Sequence, residues 1–554
     1  MSPRPATPTP VRRSHSETGP GHLHLNLHIH LNLNTFGKFG MRNAECGMAR
    51  SRAIAFPMLL LLCASALAGG IPAVGPDYHG PPAVETPADF KNTPPPAWKK
   101  AEPSDGQARG DWWRVFRDPV LDRIETQAVS ANQDIALAVD RIGEVRAEVR
   151  VAAADFFPNI DTEPSAVRTR LTNNAPFQRG ELLGNNPFAS LLGGAASPSA
   201  AGNAPLILDT QPLSRSYNVF QFPLDLNWEL DLFGRVRRNR EAAHATAQAT
   251  LADLNNTLLS VTANVAETYY DIRALDAEIG VLERTISTRQ DALQIAQERL
   301  NAGVTSALDV ARAKADLAGD QADLFGVQRS RDEMENALAT LLGFPASDFR
   351  VARRALIDTH MPNIPPGLPS ALLERRPDVS EAERQLAASN ARVGVAVAAF
   401  FPVIRLTGAG GFESADMGDL FDWQSRMWQI GPSITFPIFE GGRNVANLQA
   451  AQARYRQQVD IYRQQVLVSF QEVENALADL HTLSDQADAQ ERAVAAAVQA
   501  LQLSQSQYGK GASNFLDVLD AERTLLSDER VSVQLLGQRL QATVLLIKAL
   551  GGTW

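Results

Sequence analysis

Two hydrophobic patterns alternate along the chain. In FQFPLDLNWELDL, Phe220, Phe222, Leu224, Leu226, Trp228 and Leu230 alternate with Gln221, Pro223, Asp225, Asn227, Glu229 and Asp231. A period of two gives a strand one apolar, aromatic face and one polar, acidic face. Trp428, Ile430, Pro432, Ile434, Phe436 and Ile438 keep the same alternation, with Gln429, Ser433 and Thr435 between them. The stretches 158–172 and 402–413 alternate less cleanly and are predicted as partner strands, so the chain offers two hairpins and four strands. After Gly234-Arg235 and again after Gly442-Arg443 the period turns helical: Val466, Phe470, Val473, Leu477 and Leu480 step by four and three, as a coiled-coil seam does, and Leu258, Thr262, Val265, Tyr269 and Ile272 repeat it. From Arg235 to Leu300 there is no proline. A helix of that span is about 100 Å long at 1.5 Å per residue.

These patterns belong to one unit written twice. VRVAAADFFPNI at 149–160 returns as VAVAAFFPVI at 395–404, an offset of 244 that reaches back to Asp134 and Asp378. Beyond the strands the offset is 208: Gly234-Arg235 over Gly442-Arg443, Gly303 over Gly511, Leu308-Asp309-Val310 over Leu516-Asp517-Val518, and Leu342-Gly343 over Leu550-Gly551. The difference falls between the Phe-Phe-Pro and Gly-Arg landmarks, where the first copy carries a Gly-, Ser-, Ala-, Asn- and Pro-rich stretch (176–205) that reads as a surface loop. The expected organisation is a leader (1–68), an N-terminal segment contributing to an equatorial region (69–119), repeat 1 (120–342), an equatorial linker (343–369) and repeat 2 (370–551). Within repeat 1 the hairpin spans 158–234, the long helix 235–300 and the return helix 304–342. In repeat 2 these are 402–441, 442–508 and 514–550.

Charge and cysteine content narrow the function. The chain of 554 residues carries a net charge of -10, and its positive balance lies in the leader, so nucleic acid is not an expected partner. Both cysteines, Cys46 and Cys63, lie in the leader, which leaves no disulfide or thiolate metal site downstream. His22, His24, His28 and His30 alternate as metal ligands on a strand face would, but nothing later calls for a metal. That stretch reads as translated upstream sequence ahead of a start at Met41 or Met48. From Met48, Arg50 and Arg52, an apolar run from Phe56 to Leu62 and Ala64-Ser65-Ala66 or Ala66-Leu67-Ala68 form a secretion signal, too short for a membrane span. An exported chain without membrane helices but with half-apolar strands suggests an outer-membrane barrel. Four strands cannot close one, and an open edge in lipid leaves backbone groups unsatisfied, so copies must pool strands, twelve from three chains leaving room for a lumen.

GDWWRVFRDPVLDRI (110–124), WELDLFGRVRRNREAA (228–243), FPIFEGGRNVANLQAAQARY (436–455), SFQEVENALADL (469–480) and YGKGASNFLDVLDAERTLL (508–526) together resemble the outer membrane efflux protein family, of the TolC and OprM type and its NodT-like branch, from about Val74 onward. The resemblance implies a mixed α+β membrane protein: a homotrimer whose 12-stranded outer-membrane β-barrel continues into a long α-helical periplasmic barrel. It implies a passive exit duct without cofactor or catalytic residue, in outer-membrane lipid. A periplasmic adaptor and an inner-membrane pump, of the RND type by expectation, would hand over drugs, toxic compounds or metal ions. The motif LDVLDAER places Leu516, Asp520 and Arg523 at the family's periplasmic constriction. Gly303, Val304, Gly511 and Ala512 would form the helix-turn tips that meet the adaptor. Asp225, Glu229 and Asp231 are candidates to face the lumen, with hydration of the wall as the plainer role. Where many relatives have a lipidated cysteine after Leu-Ala-Gly, Gly70 follows Leu67-Ala68-Gly69 here, so no lipid anchor is expected.

Two alternatives remain at this level: a type I protein-secretion duct of the same fold, and a periplasmic coiled-coil adaptor or scaffold without a barrel, against which the alternating strands speak. Enzyme signatures such as Gly-x-Ser-x-Gly, a Walker loop or His-Glu-x-x-His are missing from the sequence.

Overall fold

A computed structural model describes residues 73–84, 91, 110–170, 216–354, 356, 360–362, 364 and 375–552. The leader with its signal and histidine stretch, Gly70 and the insertion 176–205 lie outside these residues. Seven helices are described: α1 (Pro119–Ala131), α2 (Gln133–Ala154), α3 (Arg235–Asn301), α4 (Ala307–Leu341), α5 (Pro377–Ala398), α6 (Arg443–Gly509) and α7 (Phe515–Ala549). The strands are β1 (Asn159–Asp161), β2 (Ser165–Arg170), β3 (Ser216–Leu230), β4 (Val403–Ser414) and β5 (Arg426–Thr435). The internal repeat is visible in lengths: α2 and α5 have 22 residues each, α3 and α6 have 67, and α4 and α7 have 35.

All strands are antiparallel, in the order β1, β3, β4, β5, with β2 also on β3. Ile160 pairs with Leu226 and Ala166 with Phe220, so β1 and β2 keep one register on β3 and form a single strand with a gap. The gap holds Pro164 and faces Pro223, and neither residue has an N–H to donate to the ladder. The Thr162 hydroxyl donates to the Pro223 carbonyl at 2.5 Å and bridges it. Among the described residues, four effective strands therefore make an open sheet whose two edges, β1/β2 and β5, each have one neighbour. One face is apolar and bare: Leu224, Ile430, Ile434 and Trp428 are exposed, Trp428 by 78%.

The helices repeat the order of the strands. α3 packs against α2, α4, α5 and α7, and α6 packs against α5 and α7. Asn132, the N-cap of α2, donates through Nδ2 to the carbonyl of Leu341 at the end of α4 at 2.9 Å. At the equivalent place Arg376, the N-cap of α5, donates to the carbonyl of Ala549 at the end of α7 at 2.9 Å. Both side chains satisfy carbonyls that the helix end leaves open. They stack α4 under α2 and α7 under α5, giving four columns in the order α2/α4, α3, α5/α7, α6.

The main core lies where the stacked helices meet. Trp112 and Phe116, from a short 3-10 turn, pack with Leu121, Tyr269, Tyr270 and Val466. The seam residues Thr262, Val265, Tyr269, Ile272, Val466, Phe470 and Val473 are all buried. At the far tip, Gly303 (φ 71°) and Gly511 (φ 74°) turn the chain in the left-handed region that glycine tolerates. The return helices begin at Ala307 and Phe515, after the sequence-based starts at 304 and 514, because Ser306 and Asn514 remain extended and act as N-caps in capping boxes with Asp309 and Asp517.

Candidate gate

The lower half of the wall is tied together by charge. Asp520 and Arg523 lie on one face of α7, with Arg523 Nη1 3.4 Å from Asp520 Oδ1. The shorter bond of Arg523 goes elsewhere: its Nη2 donates to Asp316 Oδ1 on α4 at 2.7 Å. That bond holds the Arg523 guanidinium above its ordinary pKa. Seven residues further along both helices, Arg530 Nη1 donates to Asp323 Oδ2 at 2.9 Å, while its Nε donates to Glu278 Oε1 of α3 at 2.8 Å. Arg523 and Arg530 thus form two rungs from α7 to α4.

A third, buried connection lies beneath the rungs. Arg289 of α3 sits 2.8 Å from Asp320 of α4 and 3.8 Å from Glu522 of α7, all three side chains being less than a tenth exposed. Burial pushes the Asp320 and Glu522 carboxyls above the usual carboxylate range, outweighing the attraction of Arg289, and Asp316 adds to the rise in both. A groove of about 450 Å³ runs between these helices, lined by Asp316, Asp320, Arg289, Arg523 and Arg530 among others. Towards the tip, Phe515, Val518 and Leu519 pack with Ala313, and Arg299 lies 4.5 Å above the Tyr508 ring. Leu516 is 38% exposed and faces away from that cluster.

The sequence singled out Asp520 and Arg523, which the structure brings together, but not Asp316, which accepts the stronger bond. The 208 offset compares Arg523 with Ala315, and Asp316 is the next residue. Its signal was a stripe, Asp316, Asp320 and Asp323, stepping by four and three along one face of α4. The tip residues Gly303, Val304, Gly511 and Ala512 are all exposed.

The lumen candidates separate. Asp225 lies on the polar face of β3, paired in register with Asp161 and Ala409. Glu229 shares that face but is held by Arg235, whose Nε donates to its Oε1 at 2.7 Å. Asp231 is off the strand altogether, a correction to its placement by alternation. Its carboxylate accepts the N–H groups of Val236 and Arg237 at 3.1 and 2.9 Å and caps the first turn of α3. The reason is local: Gly234, the N-cap, has no side chain to satisfy those donors.

The family model for the outer membrane efflux protein matches residues 126–344 and 368–552. An antibiotic efflux pump outer membrane protein, ArpC of Pseudomonas putida, is 32% identical over 90% of this chain and 96% of its own. The cation efflux system protein CusC of Escherichia coli is 30% identical over 87% of this chain and 96% of its own. The crystal structure of the Neisseria gonorrhoeae MtrE outer membrane channel in its open state superposes with a TM-score of 0.70 at 30% identity, covering 87% of this chain and 98% of that one. With its fold, its place in the outer membrane and its large periplasmic portion shared with these channels, the chain belongs to the outer membrane efflux protein family.

Proposed function

We propose that three copies of this chain close into a passive exit duct, a 12-stranded barrel in the outer membrane continued by a 12-helix periplasmic tunnel, which receives small molecules from an inner-membrane pump through an adaptor. The carrying observation is the four-column wall, whose sheet and helical layers share one order and end in unpaired edges. In lipid an unpaired strand edge leaves several kcal/mol per backbone group unsatisfied, and only a neighbouring copy supplies the ladder. Exposed apolar side chains on the edge columns, Leu137, Val151 and Phe325 on one side and Val445, Ile461 and Leu467 on the other, fit the same joint. Exposed Trp423 and Phe421 beside one end of β5, and Phe436 and Phe439 beyond the other, suit the two aromatic girdles of such a barrel.

In this reading the two rungs and the Arg289 connection hold the α6–α7 hairpin against α4 and keep the periplasmic end narrow. Opening requires the Arg523–Asp316 and Arg530–Asp323 pairs to part, after which the α6–α7 hairpin swings outward. Leu516 and Asp520, exposed on α7, narrow the pore at the level of Arg523. The adaptor docks on the exposed tips at Gly303, Val304, Gly511 and Ala512. Relatives named for antibiotic, pyoverdine and cation export match to similar extents, which favours a duct whose cargo is chosen by the pump.

Outer-membrane fractions test the assembly. A band of three times the chain mass that resists SDS until heated is expected. A monomer that stays soluble without detergent overturns the reading.

A further inference from the structure

A recess of about 510 Å³ lies between α1, α3 and the segment that follows α4, away from the gate and from the sheet. Its volume is that of a small-molecule pocket. Its walls are of two kinds. Ile124 and Val351 are buried at its base, and Phe344 and Phe349 stack with ring centroids 6.1 Å apart and planes 12° from parallel. Around this apolar floor stand Arg123, Arg273, Arg350, Arg353 and Arg354, and no Asp or Glu is among the described residues of the lining.

The carboxylates that balance these arginines stand outside the recess. Arg353 meets Glu283 at 3.0 Å, Arg354 meets Asp118 at 3.2 Å, and Arg350 lies 3.7 Å from Glu335. Arg273 is the telling member, with its side chain only 3% exposed. Its Nη1 donates to the carbonyl of Ala352 at 2.9 Å and lies 3.2 Å from Asp276, a carboxylate it shares with Arg331. Its Nε and Nη2 are buried without a hydrogen-bond partner. A buried guanidinium edge with two unmet donors carries a desolvation penalty that an incoming anion relieves. Nε and Nη2 of one guanidinium form the fork that accepts a carboxylate with two parallel bonds.

We infer that this recess is a binding site for a small amphipathic organic anion, a carboxylate or sulfonate carrying one aromatic or branched apolar group. Its acid group sits on the free Nε/Nη2 edge of Arg273 with Arg123 beside it, and its apolar body lies against Phe344, Phe349 and Ile124. The chemistry discriminates against two neighbours: a neutral amide leaves the fork unpaired, and a small hydrophilic anion forgoes the aromatic floor. The duct reading neither requires this site nor predicts it, and the two fail separately.

The test uses the full chain in lipid nanodiscs with 4-(trifluoromethyl)phenylacetate as probe, followed by fluorine NMR line broadening, with empty nanodiscs as background. Saturable binding is expected, weakened at least tenfold in Arg273→Gln and several-fold in Arg123→Gln and Phe344→Ala. The corresponding phenylacetamide is expected to bind at least tenfold more weakly than the acid. Arg123 and Phe344 are exposed side chains, so those two variants decide the matter if Arg273→Gln does not assemble. Absence of saturable binding, equal binding of acid and amide, or unchanged binding in the variants that assemble overturns the site.

Discussion

Arg523 on α7 donates to Asp316 on α4 at 2.7 Å, joining the return helices of the two repeats across 207 residues of sequence. The bond differs from the Arg289 connection below it in one respect that governs its use: the Arg523 side chain is 54% exposed, whereas Arg289 is 5% exposed. Asp316, the partner of Arg523, is 10% exposed, so the bond is screened by salt less than a fully exposed pair, which is worth about 0–1 kcal/mol. In the proposed gate, rungs with one exposed partner would part more readily than the buried Arg289 connection.

Single-channel recording in planar bilayers checks the rungs. Arg523→Gln and Asp316→Asn should each raise conductance several-fold, and Asp520→Asn less, because its 3.4 Å contact with Arg523 is the weaker one. Raising the salt shortens the screening length from about 10 Å at 0.1 M to about 3 Å at 1 M, so the wild-type duct should open more often while Arg523→Gln changes little. Unchanged conductance in both Arg523→Gln and Asp316→Asn removes the gate from these helices.

The two faces of the sheet predict opposite responses to charge. Trp428, 78% exposed on the apolar face, should tolerate arginine poorly, with a cost of up to about 2–4 kcal/mol depending on depth. Gln429, next along β5 and on the other face, should accept arginine with less than a third of that loss. Folding yield into phospholipid vesicles measures both. Equal losses would mean that neither face meets lipid.

Two glycines with similar dihedrals should respond unequally. At Gly234 (φ 85°) an added Cβ would lie 2.3 Å from the Cβ of Ala73, whereas at Gly511 (φ 74°) it meets open space. Gly511→Ala bears only the left-handed penalty of about 1–2 kcal/mol, while Gly234→Ala adds a clash that must move the segment around Ala73. Melting of the detergent-solubilised protein should therefore fall further for Gly234→Ala. A reversed order contradicts the packing of residues 73–77 on α3.

A half-buried and a buried carboxyl make stability depend on pH in a defined direction. Burial pushes Glu381 up to about 7, with Asp253 and Asp378 adding to it, and burial with Asp122 nearby holds Glu125 well above its ordinary 4.5. Below 4.5 both folded and unfolded chains carry the proton and nothing is lost. As pH rises past 4.5 the unfolded chain ionises first, so stability falls, up to about pH 7 for Glu381. Glu381→Gln should flatten the melting temperature between those values. Glu125→Gln should melt above wild type at pH 8 and alongside it at pH 4. A wild-type melting temperature that rises across this window contradicts both assignments.

The chain by itself determined everything that repeats locally. A period of two marked β3 and β5, a step of four and three marked α3 and α6, and self-comparison paired the two copies, because strand faces and helix seams are set by residues two to seven apart. Family motifs added the likeness to efflux ducts and drew attention to Asp520 and Arg523. Tertiary structure decided which distant side chains meet. It gave Arg523 a shorter bond to Asp316 beside its contact with Asp520, turned Asp231 from a strand face to a helix cap, stacked α4 under α2 through Asn132, and set five arginines around an apolar recess. None of these follows from periodicity, since each depends on how 67-residue helices lie side by side, and a rotation of one helix by a single residue, about 100°, would exchange every partner.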